Sequence, residues 1–185
     1  MEEKISIARI YYPVKVLGPG RRVGIWLTGC SRACKGCISP ELQPYDKSRE
    51  VTAEDVLRML DKIPGAIDGF TISGGEPFYN SRALSVLIHA ISGRSDDIIV
   101  FTGYTIEELQ KMDDPYTDEV LGSISVLIDG PFEADLTDCK GLRGSANQNI
   151  HVFRYHDRYE GLEDCVTELQ PIVYGNNLLT IGIPK

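Results

Sequence analysis

Three of the chain's five cysteines fall within eight residues, as Cys30, Cys34 and Cys37 in the stretch GCSRACKGC. Thiolates spaced this closely are metal ligands or redox groups, and an odd total argues against a disulfide framework. A closed zinc site takes four protein ligands. Cys139 and Cys165 sit in distant segments without paired spacing, so zinc would need a fourth ligand such as His151, His156 or Cys139. A four-iron, four-sulfur cluster on three thiolates instead leaves one iron without a protein ligand, free to take a small molecule. In a tight loop three thiolates can reach three corners of one cube, with Gly36 relaxing the backbone between the last two.

Other residues with chemical potential stand after apolar runs. Ser73-Gly74-Gly75-Glu76-Pro77 follows AIDGFTI, Thr102-Gly103-Tyr104 follows DIIVF, and Asp129-Gly130-Pro131 follows SISVLI. Any one of them reads as ordinary turn chemistry, because glycine and proline punctuate strand ends. Together with Gly29-Cys30 they make four such ends, and in a parallel sheet the C-terminal ends of the strands share one rim.

The elements that must build that rim alternate along the chain, which indicates α/β. RRVGIWLTG, AIDGFTIS, DIIVFTG, SISVLIDG and NIHVFRY read as strands. Thr52 with Asp55 opens a helix, residues 81 to 92 carry Leu84, Leu87, Ile88 and Ile91 at helical spacing, and Thr105 with Glu108 caps a short helix. VYGNNLLTIGI reads as a terminal hairpin around Gly175, Asn176 and Asn177. Helices between strands imply parallel pairing through right-handed crossovers. With 185 residues, 42% hydrophobic and 25% charged, the chain suits one domain, 1–185, with a core over about 18–155 and an extension over 156–185. A formal charge of -8 disfavours nucleic acid or an anionic membrane as partner. No apolar run approaches a membrane span, and the acidic start MEEKISIARIYY is unlike a secretory signal, so the expected location is cytoplasmic.

Read together, CxxxCxxC at Cys30, Cys34 and Cys37 and the later Gly74-Gly75-Glu76 resemble the radical S-adenosylmethionine (SAM) superfamily. GPGRR at 18–22, FTGYTIEEL, VLIDGPFE and LRGSANQ bring the chain close to its small glycyl-radical activating enzymes, over roughly residues 5 to 155. The resemblance implies a partial, incomplete TIM-type βα barrel with the hairpin as a C-terminal extension. It implies a 4Fe-4S cluster on the three cysteines with SAM on the open iron, Gly74, Gly75 and Glu76 receiving the methionyl part, and Thr102, Tyr104 and Asp129 as further SAM contacts. The implied chemistry is reductive cleavage of SAM to a 5'-deoxyadenosyl radical, which abstracts hydrogen from a glycine of a large protein partner of the anaerobic ribonucleotide reductase kind. Reduced flavodoxin or ferredoxin would supply the electron.

Two alternatives stand beside this expectation: direct modification of a peptide or small molecule, and a zinc-binding structural or adaptor domain. After Cys37, where the activating enzymes carry an aromatic residue, this chain has Ile38. Four or five βα-like segments cannot close a barrel of about 250 residues, so the rim is expected to stay open along one side, where a protein partner could supply the missing wall.

Overall fold

The computed structural model describes residues 3–175 and 177–184; Met1 and Glu2 of the acidic start, and Asn176 in the expected hairpin turn, lie outside the described residues. Among the described residues nine strands are seen: β1 (Lys4–Val14), β2 (Arg22–Leu27), β3 (Glu50–Thr52), β4 (Gly69–Gly74), β5 (Ile98–Phe101), β6 (Val126–Asp129), β7 (Asn149–Val152), β8 (Leu169–Tyr174) and β9 (Asn177–Gly182). Seven form one mixed sheet in the order β3-β1-β2-β4-β5-β6-β7, while β8 and β9 make a separate antiparallel hairpin. The fold is mixed α/β.

The parallel pairing expected from the alternation holds for β2, β4, β5 and β6. It fails at both flanks. Strand β1 precedes the strand at 22–27, which the sequence pattern made the first, and pairs antiparallel with it and with β3. Strand β7 also runs antiparallel, against β6. The connection over 130–148 contains only a three-residue helical turn, Ala134–Leu136, in place of the crossover helix that usually carries a parallel return.

Side chains alternate across the central strands with period two. Val23, Ile25, Leu27, Phe70, Ile72, Ile98, Val100 and Leu127 face one core, shared with α1 (Ala53–Leu60), α2 (Ser81–Ser92) and α4 (Pro115–Ser123). Each such fully buried side chain contributes about 1.5–3 kcal/mol. Both expected capping boxes are present, Thr52 with Asp55 at α1 and Thr105 with Glu108 at α3 (Ile106–Gln110). Helix α4 has few apolar residues to announce it; its signal is Asp114 as N-cap followed by Pro115.

On the opposite face Trp26, Ile99, Phe101, Val126 and Ile128 meet no helix row. They are covered by Leu142, by Tyr159, and by Ile172, Leu179, Ile181 and Ile183 of the hairpin and its tail. The hairpin is pinned through Gln170, whose amide donates to Pro13 O at 2.8 Å and whose carbonyl accepts from Lys15 N at 2.9 Å. At the N-terminal end of the strands Arg22 is fully buried. It donates to Thr71 Oγ1 at 2.8 Å and Asp97 O at 2.9 Å, and pairs with Asp97 Oδ1 at 3.2 Å. Tyr159 hydrogen-bonds the same carboxylate, so the segment after β7 is tied to this end.

Candidate metal and cofactor site

At the other end of the same strands the four expected loops do converge. A cavity of about 520 Å³ is bordered by Cys30, Cys34 and Cys37, by Ser73 to Glu76, by Thr102 and Gly103, and by Gly130. All three thiols are unpaired and half-buried. Tyr104 and Asp129 lie behind this lining, and Cys139 and His156 are not part of it.

The cysteine loop is shaped by its backbone. Gly29 leaves β2 with φ +95°, and its N–H donates to Leu42 O at 2.9 Å; Cys30 N donates to Gln43 O at 2.8 Å. A turn closed by Cys37 N donating to Cys34 O at 3.2 Å contains Gly36 at φ +77°. Among the described residues no three His, Cys, Asp or Glu side chains converge tightly enough for a single metal ion. Three thiols spread along one loop and facing one cavity suit the separate corners of a cluster, which fits the donor set.

Gly74 and Gly75 join β4 to this loop by close contact. A Cβ on Gly74 would meet Leu27 N at 2.3 Å, and one on Gly75 would meet Gly29 O at 2.3 Å. Glu76 N donates to Gly29 O at 2.7 Å. The Glu76 side chain is buried, and its oxygens accept from Phe78 N at 3.0 Å, Thr102 Oγ1 at 2.8 Å and Gly103 N at 2.7 Å. Burial pushes its carboxyl above the usual carboxylate range, opposed by those donors and, more weakly, by Arg32. Carboxylate oxygens offer about four acceptor positions, so one remains for a further donor.

Sequence reasoning did not single out Arg32 of the cluster loop. Its guanidinium lies 4.7 Å from the Tyr104 ring centroid and pairs with Glu108 at 3.2 Å, while Ser31 Oγ meets Tyr104 OH at 3.0 Å. Tyr104 thus clamps the cysteine loop from behind. Asp129 is buried, accepting from Ile106 N at 2.6 Å and from Asn149 N at 3.2 Å, with His151 Nε2 3.0 Å away. The Arg143-Gly144-Ser145 turn is braced internally: Gln148 accepts from Gly144 N at 2.8 Å and donates to Gly130 O at 2.8 Å. Gly144 and Gln148 border the cavity, and so do Trp26, Phe101 and residues 179 to 184. The side expected to stand open is therefore lined in part by the chain's own tail. Only the alternation of Gly24 and Trp26 with the apolar Val23, Ile25 and Leu27 along β2 hinted that the tryptophan faces away from the helices.

A cysteine-lined cavity at the C-terminal rim of a mixed sheet defines a cluster-binding protein, and comparison with known proteins agrees. Residues 16–151 match the family model described as a 4Fe-4S single cluster domain. The chain is 35% identical to the anaerobic ribonucleoside-triphosphate reductase-activating protein of Pasteurella multocida (strain Pm70), over 77% of this chain and 95% of that one. Proteins of the same name from Vibrio cholerae (36% identity, covering 77% and 96%) and Enterobacteria phage T4 (33%, covering 77% and 90%) also match. The chain belongs to the family of anaerobic ribonucleoside-triphosphate reductase-activating proteins.

Proposed function

We propose that this protein is a radical SAM activase that installs a glycyl radical in an anaerobic ribonucleotide reductase. The observation that carries the reading is the shared cavity. Three free thiols on one loop line the same cavity as a buried carboxylate, Glu76, that among the described residues has only neutral donors within hydrogen-bond distance and has spare acceptor capacity. Such a carboxylate is set to receive a cation.

Cys30, Cys34 and Cys37 would hold the 4Fe-4S cluster and leave it open to SAM. Glu76 takes the cofactor's ammonium, with Thr102 fixing the carboxylate's orientation, while the bare backbone of Gly74 and Gly75 brings the rim close. Tyr104 and Asp129 act from behind the rim, holding the cysteine loop and the start of α3. Bound there, the cluster and SAM would together supply the one-electron radical chemistry that removes hydrogen from a glycine of the partner. The protein's own part is to orient and to keep water out. Reduced flavodoxin or ferredoxin is the electron donor in this reading. We place the chain as one domain, 1–185, with its strands as a partial radical SAM barrel. Among the described residues no helix is long and apolar enough to cross a membrane, which is consistent with a cytoplasmic site of action.

The test is anaerobic reconstitution, reduction with SAM, and mixing with the class III reductase subunit from the same genome. Formation of 5'-deoxyadenosine together with the paramagnetic doublet of a glycyl radical is expected. Cleavage of SAM without a doublet would move the reading to direct modification of a peptide or small molecule, and no cleavage at all would end it.

A further inference from the structure

The cavity lining divides by element into two unlike parts. The cysteine loop and the ends of β4 and β5 present thiols, Ser73, Glu76 and Thr102, interrupted by Ile38 and Leu42; the inner sheet face and the tail present mainly Trp26, Phe101, Leu179 and Ile183, beside Arg9 and Thr180. SAM is divided in the same way, with a charged amino-acid end and a flat purine. If the first part holds the methionyl end, as proposed above, the nucleoside must extend over the second. Ile38, the position after the third cysteine, also borders the cavity but is 60% exposed. The tail lies beyond the family match, which ends at residue 151.

We propose that β9 together with Ile183 and Pro184 forms the apolar wall that receives the adenosyl end of SAM, with Leu179 and Ile183 as specificity-determining residues. The wall is fixed in place. Leu179 and Ile183 pack on the core of the inner sheet face, and Gln170, which pairs with Ile181 across the hairpin, is bonded to residues 13 and 15. Its other face is apolar too but turned to solvent, with Val173 75% and Leu178 67% exposed, and it provides a matched control. A cavity of about 520 Å³ lies within the range of roughly 300–1,000 Å³ found for small-molecule sites.

This inference rests on the SAM reading, and its test separates the two. Reconstituted protein is dialysed to equilibrium against 5'-deoxyadenosine and, separately, against methionine. In the cluster-free protein, the fluorescence of Trp26, the chain's single tryptophan, gives a second measure of 5'-deoxyadenosine binding. Leu179→Ala/Ile183→Ala should weaken 5'-deoxyadenosine about tenfold and leave methionine within about twofold, while Val173→Ala/Leu178→Ala changes neither. Leu179→Asn, of nearly unchanged size, should weaken the nucleoside in the same sense and guards against loss of fold in the double variant. The proposal is overturned if 5'-deoxyadenosine fails to bind the wild-type protein, if its affinity is unchanged in the inner variants, if methionine weakens equally, or if the outer variant loses as much. Failure of SAM cleavage with nucleoside binding intact would count against the activase reading and leave the wall standing.

Discussion

The central strands bury acids at both ends, and Asp97 and Glu76 are treated differently. At the N-terminal end Asp97 is ringed by cations: Arg22 lies 3.2 Å from one oxygen and Arg158 2.8 Å from the other, with Tyr159 bonded as well. At the C-terminal end Glu76 has no cation within hydrogen-bond distance among the described residues; Thr102 Oγ1 and two backbone N–H groups hold it. One end has already matched its charge, so it locks the chain together. The other keeps a carboxylate at raised pKa beside three free thiols, which makes sense if the matching charge arrives with a ligand. The contrast teaches that a buried charge points to function where its counter-charge is missing and a cavity lies beside it.

The sharpest break in this comparison is chemical. Cys30→Ala, Cys34→Ala or Cys37→Ala should abolish cluster binding while leaving the Arg22–Asp97 end intact, and Cys139→Ala and Cys165→Ala should leave cluster content unchanged. Iron and sulfide analysis after anaerobic reconstitution decides. Next in size is Arg22→Met, which strips Asp97 of one buried cation and should cost roughly 3–5 kcal/mol in a denaturant titration of the cluster-free protein. A loss as small as that of an exposed pair would show that Arg158 alone suffices to compensate Asp97.

The smallest effect falls on Glu76. Glu76→Ala should keep iron but weaken SAM by on the order of 1.5–3 kcal/mol, and leave Phe78 N and Gly103 N without their acceptor. Its sign with pH is fixed by burial. Because the folded carboxyl sits above its ordinary 4.5, the folded state holds the proton longer, and this group's contribution to stability falls as pH rises from about 4.5 through the folded value. The stability of Glu76→Gln relative to wild type should therefore improve across that window in the ligand-free protein. A flat difference would mean that Glu76 is not held above its ordinary range.

Much of the rim was legible because the relevant signals are local. CxxxCxxC, the glycine pair and both capping boxes are set by neighbouring residues, and parallel strands bring their C-terminal ends together whatever the loops contain. The helix-facing core was legible from the spacing of Leu84, Leu87, Ile88 and Ile91. What escaped depends on distant pairing. Strand β1 has an irregular pattern, with register shifts between Ile7 and Arg9 and between Tyr11 and Val14, and includes Pro13. Its place beside β2 is settled by contacts that periodicity does not encode. The hairpin could be recognised as a hairpin, but nothing in its alternation says that Leu179 would border a cavity also lined by a cysteine some 150 residues away.

The contact between Gly75 and Gly29 bears on anyone wishing to transplant the cysteine loop. The obstacle to a side chain at Gly75 is a carbonyl oxygen of the main chain, 2.3 Å from where its Cβ would lie, so no compensating change of side chain across the contact can make room. The nine-residue stretch from Gly29 to Cys37 is consequently not a portable cassette. A recipient scaffold must bring a second strand end with its own bare backbone at the same separation, or the loop will arrive with its ligands aimed elsewhere.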